Sequence, residues 1–234
     1  MRGKLIVIEG TDCSGKETQS KLIIEKFKKE NIDIRYFSFP NYDSPTGKIV
    51  GGPYLGKEYI CKGWFPETAP LVDPKVSSLY YAADRRYNIG YVNELLDNGV
   101  NVILDRYFYS NMAHQGGKIH DKNKRMEMYK WIEQLEIDLL ELPIPDIKIF
   151  LHVPFEVSAK LKAGRAEALD ENESNKEHLI DAETAYLEVA DMYGFETIKC
   201  YRDDDILSVD EINNKIYEYM SNEFKQNQKK MEIM

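Results

Sequence analysis

LIVIEGTDCSGKET, residues 5–18, is the stretch that decides the fold of this chain. Its first four residues are an apolar run rich in β-branched side chains, which is typical of a strand buried on both faces of a parallel sheet. Gly10, Gly15 and Lys16 then have the spacing of a phosphate-binding loop (P-loop), whose backbone N–H groups curl round a polyphosphate. The helix predicted from Lys16 onward points its positive N-terminal end at the same place. The alternative is a plain glycine-rich turn between a strand and a helix.

The residue after Lys16 departs from the usual pattern of this loop. A hydroxyl at that position is normally a magnesium ligand, whereas Glu17 offers a carboxylate, which is longer and charged but also a hard oxygen ligand. Either Glu17 binds the metal or its waters, or it points away and Thr18 helps to hold the start of the helix. The sequence thus predicts an ATP site with magnesium, its nucleotide bound by Gly10, Thr11, Asp12, Cys13, Ser14, Gly15, Lys16, Glu17 and Thr18.

Apolar runs and helical patterns alternate along the rest of the chain. Such alternation predicts βαβ units and a mostly parallel sheet. We therefore expect an α/β fold of three layers, α/β/α, with a five-stranded sheet in a single domain over residues 1–222. The apolar runs are 5–8, 32–37, 100–104, 147–153 and 197–201, and the helical patterns are 16–29, 77–96, 124–142, 179–193 and 209–220.

Three segments lie outside this alternation. The stretch 41–74 is rich in glycine and proline and is expected to be irregular. The polar stretch within 163–178 is expected to be a surface loop. The tail at 223–234 is polar and contains lysine, so we expect it to fray.

The composition limits the partners and the compartment of the protein. Lys and Arg total 31 against 40 Asp and Glu, a net charge of −9, which disfavours nucleic-acid binding because that needs a basic face. Cys13, Cys61 and Cys200 are too widely spaced for a disulfide framework, which favours a reducing compartment. No segment has the length of a membrane span or the pattern of a signal peptide. We therefore expect a cytoplasmic protein with no nucleic-acid or membrane partner.

A second acidic position follows the apolar run at 100–104. Asp105 would end a strand beside the P-loop strand, where a carboxylate can orient magnesium through water. The alternative is a surface ion pair between Asp105 and Arg106. Ser110, Asn111 and Gln115 come soon afterwards. Their short hydrogen-bonding groups suit the polar edges of a ligand, and the alternative is an ordinary polar loop.

Tyr81 and Arg85 form a third cluster of interest. They are four residues apart on a predicted helix and therefore share one of its faces. An aromatic plane beside a guanidinium fork can stack on a base and hydrogen-bond its carbonyl edge. The alternative is an aromatic side chain packed in the core with an arginine at its rim.

Taken together, residues 4–220 resemble the thymidylate kinase family, P-loop enzymes that make thymidine diphosphate from thymidine monophosphate (dTMP) and ATP. The resemblance implies the P-loop kinase fold, nucleoside-monophosphate kinase activity, ATP as phosphoryl donor, Mg²⁺ as cofactor and a homodimer formed through packed helices. The segments that carry it are 8–12, 39–40, 81–85, 105–107, 110–111 and 186–190.

The resemblance also implies how the donor side would work. Lys16 and the loop amides would hold the ATP phosphates, and Asp105 would help to organise the magnesium, for which Glu17 is the second candidate from its own chemistry. Arg165, in a lid over about 163–178, would contact the phosphoryl group during its transfer. The catalytic residues implied in this way are Lys16, Arg106, Arg165 and Asp12.

On the acceptor side, the resemblance implies that Tyr81 stacks on thymine and that Arg85 bonds its carbonyl. Arg106 would bind the acceptor phosphate, and Asp12 would contact the sugar 3′-hydroxyl. The implied acceptor-binding set is Asp12, Phe39, Tyr81, Arg85, Arg106, Ser110, Asn111 and Gln115.

This chain departs from the family pattern at three places. Members often carry an arginine soon after the Phe-Pro pair, to hold the acceptor phosphate, whereas this chain has Tyr42, so part of that clamp is missing or is supplied from elsewhere. His114 replaces an aromatic residue thought to crowd a ribose 2′-hydroxyl, and the lid has one arginine. Two alternatives stay open: a kinase for another pyrimidine nucleotide or a deoxynucleoside, and a slow nucleotide-binding regulatory protein.

Overall fold

Five parallel strands form the central sheet of the structure, a computed structural model that describes residues 2–162, 172 and 175–232. The strand order is β2-β3-β1-β4-β5, so the P-loop strand β1 lies in the middle. The strands are β1 (Leu5–Gly10), β2 (Ile34–Ser38), β3 (Asn101–Asp105), β4 (Ile147–His152) and β5 (Glu196–Lys199). The predicted five-stranded sheet is confirmed, and all of its strands are parallel. A separate antiparallel pair, β6 (Tyr201–Arg202) and β7 (Asp205–Ile206), follows it.

Helices cover both faces of this sheet. Alternate residues of β1 belong to two different hydrophobic cores: Val7 packs with Ile132 and Val189, whereas Ile8 packs with Ile23 and Ile216. This division confirms the predicted three layers. The helices are α1 (Lys16–Lys29), α2 (Pro45–Ile49), α3 (Pro74–Asp97), α4 (Phe108–Gly117), α5 (Lys122–Glu133), α6 (Phe155–Lys162), α7 (Lys176–Met192) and α8 (Val209–Glu232).

The stretch 41–74, which the sequence predicts to be irregular, contains short ordered elements instead. They are α2, a π-helical turn at Val50–Tyr54 and a 3₁₀ turn at Ala69–Leu71. Asp84 of α3 orders the beginning of this stretch, because its carboxylate accepts hydrogen bonds from the backbone of Asn41 at 2.9 Å and from the hydroxyls of Ser44 and Thr46 at 3.1 and 2.9 Å.

Two helix boundaries also differ from the prediction. The pattern at 124–142 predicts one helix, but α5 ends at Glu133 and a π-helical segment, Gln134–Leu139, continues the chain. The helical pattern at 209–220 is shorter than α8, which runs on to Glu232, and the fraying expected beyond Glu223 stays a prediction. That segment contains neither glycine nor proline, and the ring of Phe224 packs 5.3 Å from that of Phe27.

None of the helices within 2–162 and 175–232 combines the length and the apolar character that a helix needs to cross a bilayer.

Close packing at the end of α4 holds this helix against its neighbours. A Cβ atom on Gly116 would lie 2.2 Å from the ring of Tyr129, and one on Gly117 would lie 3.0 Å from the backbone nitrogen of Ala182 in α7. Tyr129 is fully buried, so its ring has little room to move away.

Gly116→Ala is therefore expected to lower the free energy of unfolding by about 1–3 kcal/mol, because overpacking a close-packed site forces side chains off their preferred rotamers. Urea unfolding followed by circular dichroism measures the change. Tyr129→Leu removes the obstructing ring, so the double variant should lose less stability than the two single changes added together. Strict additivity would show that the ring and the new methyl group do not collide.

Candidate active site

The P-loop follows β1 and is anchored to the neighbouring strand. The Thr11 hydroxyl donates to the carbonyl of Val153 at 2.7 Å and accepts from its N–H at 3.1 Å. Cys13 and Gly15 have positive φ angles of 61° and 76°, which produce the tight curl of the loop. A Cβ atom on Gly10 would meet the Ser14 hydroxyl at 2.4 Å, so glycine is required there.

Lys16 starts α1 and turns its ammonium group back over the loop. Its Nζ atom donates to the carbonyls of Gly10 and Thr11 at 3.1 and 3.2 Å. Burial lowers the pKa of Lys16 to about 8, and the positive charge of Arg106 acts in the same direction. A buried cation at the mouth of a P-loop is well placed to contact a polyphosphate.

A cavity of about 220 Å³, called the phosphate cavity below, opens beside this loop. Asp105 lies at its edge, and one of its carboxylate oxygens accepts from the Tyr36 hydroxyl at 2.9 Å. Glu17 also lines the cavity, but its carboxylate forms an exposed ion pair with Lys21 at 2.6 Å. The cavity is lined by Asp12, Cys13, Gly15, Lys16, Glu17, Thr18, Asp105 and Arg106.

Arg106 is held by groups from three other parts of the chain. Its guanidinium donates to Asp12 at 3.0 Å, to the Tyr186 hydroxyl at 2.9 Å and to Ser110 at 3.4 Å. The alternative of a surface ion pair with Asp105 is therefore wrong, since the partner is Asp12. Burial opposes the charge, yet Tyr186 and Asp12 outweigh it and raise the pKa of Arg106 well above its ordinary value.

Glu9 organises this region, although the sequence analysis gave it no role. Its buried carboxylate accepts from the backbone N–H groups of Tyr107 and Ser110 at 2.7 and 3.1 Å, and from the Ser110 hydroxyl. Burial raises its pKa, and the hydrogen bond from Ser110 opposes that rise. A carboxylate at this place caps the N-terminus of α4. The sequence feature that could have indicated this role is an acidic residue directly after an apolar run.

A second cavity, of about 200 Å³, lies next to the first and is called the acceptor cavity below. All eight residues that the resemblance implies for acceptor binding line it, so the fold brings together positions from β1 to α4. Ser110, Asn111 and Gln115 lie on a helix, which makes the alternative of a polar loop wrong. The full lining is Asp12, Phe39, Pro40, Tyr42, Leu55, Lys57, Tyr81, Arg85, Arg106, Tyr107, Ser110, Asn111, His114, Gln115 and Asn172.

Arg85 is fixed at one end of the acceptor cavity by Glu136. The two buried side chains form a bidentate ion pair, with Nε of Arg85 2.9 Å from one carboxylate oxygen and Nη2 on the other. Burial lowers the pKa of Arg85, but Glu136 outweighs it, so the guanidinium stays charged. Glu136 lies 51 positions away, on the π-helical segment after α5, and no pattern in the sequence points to it.

Asn111 and Gln115 present hydrogen-bonding atoms that are not used within the described part of the chain. The Asn111 carbonyl oxygen and both amide atoms of Gln115 are buried and have no hydrogen-bond partner among the described residues. Buried polar atoms are nearly always paired in native proteins. Because both side chains line the acceptor cavity, a bound molecule with complementary polar edges would pair them.

His114 lies on the wall of the same cavity. Its Nδ1 is 3.2 Å from Nε2 of His178, and its ring contacts Tyr186 edge to face. Burial lowers the pKa of His114 well below its ordinary value, and His178 and Arg106 act in the same direction. The imidazole is therefore neutral near pH 7.

Some predictions concern residues that the structure does not describe. Arg165 and most of the proposed lid lie outside the described residues. The last three positions of the proposed range, 176–178, form the first turn of α7. Lys57 and Leu55 line the acceptor cavity but carried no signal in the sequence, because they lie in the glycine-rich stretch 41–74.

Comparisons with known proteins connect this geometry to a family. A family model described as thymidylate kinase matches residues 8–216. The chain is 37% identical over 150 residues to a putative thymidylate kinase of Invertebrate iridescent virus 6, which covers 64% of this chain and 60% of that protein. It is 33% identical to the thymidylate kinase of Plasmodium falciparum (65% and 63% covered) and 30% identical to that of Homo sapiens (68% and 65% covered).

Solved structures agree on the fold. A thymidylate kinase from Candida albicans superposes with a TM-score of 0.67 at 24% identity, covering 94% of this chain and 92% of that one. In the sequence comparisons, the chain spans just under two thirds of the length of these relatives. The family model covers most of the sequence, from β1 to α8. The chain therefore belongs to the thymidylate kinase family.

Proposed function

We propose that this protein transfers the γ-phosphoryl group of ATP to dTMP, giving ADP and thymidine diphosphate. One observation carries the proposal: Asp12 and Arg106 line both the phosphate cavity and the acceptor cavity. Two substrates bound in these cavities would meet at that shared wall. Direct transfer between two bound phosphates requires this arrangement, because the reacting groups must lie in line and in contact.

The acceptor cavity suits a pyrimidine base. Thymine offers an N–H donor between two carbonyl acceptors, and the amides of Asn111 and Gln115 supply both kinds of partner. Tyr81 adds an aromatic face, and Arg85 adds a guanidinium fixed by Glu136. We propose that these groups hold the base, as the family resemblance implies.

The proposed mechanism depends on positioning and charge neutralisation. An oxygen of the acceptor phosphate attacks the γ-phosphorus of ATP, the bond from that phosphorus to the β–γ bridging oxygen breaks, and ADP leaves with that oxygen. Lys16 and Arg106 would neutralise charge on the migrating group. Arg165, outside the described residues, is proposed to add a third cation. The acceptor oxygen is already nucleophilic, so no protein nucleophile takes part.

The donor set of the phosphate cavity fits magnesium. Asp105 and Glu17 offer the hard carboxylate oxygens that this ion prefers. Asp105, oriented by Tyr36, is the stronger candidate, because Glu17 is engaged with Lys21. When bound, the ion would offset the negative charge of the phosphates.

A panel of acceptors tests the proposed function. With ATP and Mg²⁺, dTMP should give the highest kcat/KM, followed by dUMP, and AMP, GMP and thymidine should give little ADP. The physical reason is that the amides of Asn111 and Gln115 offer polar partners for a pyrimidine base, and Arg106 offers a cation for the phosphate. ADP release measured by a coupled assay gives the ranking. Preference for a purine nucleotide would contradict the base assignment, and tight ATP binding without acceptor-dependent ADP would contradict the activity.

Lys16→Ala tests the P-loop assignment. Turnover should fall by at least about 100-fold, because a preorganised charge at the transferring phosphate is removed. Lys28→Ala, an exposed change on the same helix, is the matched control and should keep normal turnover. Both variants should unfold at nearly the same urea concentration as the wild type. Near-normal turnover of Lys16→Ala would remove this lysine from the mechanism.

We further propose that the protein is a homodimer formed through α3. Val76, Leu79, Tyr87 and Tyr91 lie on one face of this helix and are between 39% and 62% exposed. A continuous apolar stripe of this kind marks an interaction surface. A two-fold axis would bring the stripe of one copy against the same stripe of the other.

Leu79→Glu should convert this dimer into a monomer, because it places like charges opposite each other across the axis. Light scattering after gel filtration should give about twice 27.2 kDa for the wild type and 27.2 kDa for the variant. Ile144→Glu changes another exposed apolar residue, outside α3, and should leave the dimer intact. A monomeric wild type would contradict the proposal directly.

The state of the cysteines bears on the compartment of the protein. Cys13, Cys61 and Cys200 form no disulfide with one another in the structure. Free thiols persist in reducing compartments. We therefore propose that the reaction takes place in the cytoplasm.

A further inference from the structure

We propose that Tyr36 is a positioning residue of the phosphate cavity, because its hydroxyl holds the Asp105 carboxylate in position for magnesium and apart from Lys16 and Arg106. This inference rests on the proposed function and adds one residue to its metal site. Its starting point is the hydrogen bond of 2.9 Å that the Tyr36 hydroxyl donates to Oδ2 of Asp105.

The register of the sheet places the two side chains on one face. In the parallel pair of β2 and β3, Tyr36 stands opposite Ile103, and Ser38 stands opposite Asp105. Residues two apart on a strand lie on the same side of a sheet, as do residues opposite each other on neighbouring strands. Tyr36 is therefore a diagonal neighbour of Asp105. The sheet itself fixes the backbone of both residues, so the contact needs no movable loop.

The hydrogen bond restricts the orientation of the carboxylate. A tyrosine hydroxyl titrates at about pH 10, so near pH 7 the Tyr36 hydroxyl keeps its proton and donates it. Asp105 is buried, so little water competes with this donor. With Oδ2 engaged, the carboxylate cannot turn freely, and it stays at the edge of the cavity that Asp105 lines.

Two cations of the same cavity would otherwise compete for this carboxylate. Lys16 and Arg106 both line the cavity, and the charge of Asp105 acts on both of them. In the structure Lys16 donates to carbonyls of the P-loop, and Arg106 is paired with Asp12. An ion pair with either cation would neutralise Asp105. The Tyr36 hydroxyl is neutral, so it orients the carboxylate and leaves its negative charge for a metal ion.

The residue after Lys16 makes such a contact more important in this chain. A P-loop normally supplies a hydroxyl there as a magnesium ligand, but Glu17 is engaged with Lys21 at 2.6 Å. The proposed metal site therefore depends more on Asp105. Groups that orient a metal-binding side chain commonly change metal affinity by about tenfold to 100-fold.

Calorimetric titration of ADP, once with Mg²⁺ and once with EDTA, tests this inference without turnover. The ratio of the two affinities measures the coupling between the ion and the site. Tyr36→Phe removes only the hydroxyl and should lower this ratio by about tenfold, with the affinity in EDTA unchanged within about twofold. Tyr193→Phe is the matched control, because it removes a hydroxyl that donates to Glu133 at 3.1 Å just after α7, and it should keep the wild-type ratio.

Asp105→Asn is the reference variant for the metal site itself. Its ratio should fall at least as far as that of Tyr36→Phe. In the double variant Tyr36→Phe should then lower the ratio little further, because the hydroxyl acts only through this carboxylate. Full additivity of the two changes would contradict the inference.

The outcomes separate the possible failures. A wild-type ratio in Tyr36→Phe with a lowered ratio in Asp105→Asn overturns the inference and leaves the metal site and the proposed function standing. Equal weakening of ADP binding in Mg²⁺ and in EDTA by Tyr36→Phe overturns it as well, because Tyr36 would then support only the shape of the site. A wild-type ratio in Asp105→Asn overturns the metal site and the inference together, whereas the acceptor panel tests phosphoryl transfer separately.

Discussion

The buried carboxylate of Glu9 is the constraint on which the site depends. A charge taken out of water must be met by donors, and here the donors are the first N–H groups of α4 and the Ser110 hydroxyl. Satisfying Glu9 therefore fixes the start of α4 against the end of the P-loop strand. The short connection from β3 to α4 must then turn sharply, and Arg106 takes a positive φ of 65° at that turn.

The residue at that turn, Arg106, lines both cavities. Once Arg106 is placed there, its guanidinium reaches Asp12 on the P-loop and Tyr186 on α7 at the same time. The same short network includes Ser110, whose oxygen lies 2.8 Å from the Tyr186 hydroxyl. The P-loop, α4 and α7 are thus held by one set of polar contacts, which includes the wall that the two cavities share.

The sequence predicted what local patterns determine. The strands lie in runs rich in apolar side chains, and their parallel order follows from the helices between them. Both features could therefore be predicted from neighbouring residues. The segment Phe108–Gly117 has weak intrinsic helix propensity, and its helix forms because Glu9 caps it and α7 packs on it. Asp84 orders 41–46, and Glu136 fixes Arg85, across about 40 and 50 positions. Contacts at that range leave no periodic signal, which is why Glu136 and Lys57 were missed although Tyr81 and Arg85 were found.

Under the proposed function, the distribution of charge within the acceptor cavity also bears on which way a nucleotide would bind. At one end, Arg85 and Glu136 cancel each other, and the unpaired amide atoms of Gln115 offer hydrogen bonds without net charge. A neutral base would gain there, whereas a phosphate would meet in Arg85 a guanidinium that Glu136 already neutralises. At the other end, Arg106 lies beside the phosphate cavity. A monophosphate bound in the opposite direction would lose both contacts. Under the proposed function, the neutral ion pair at that end therefore disfavours reversed binding and would leave the acceptor phosphate beside Arg106 and the phosphate cavity.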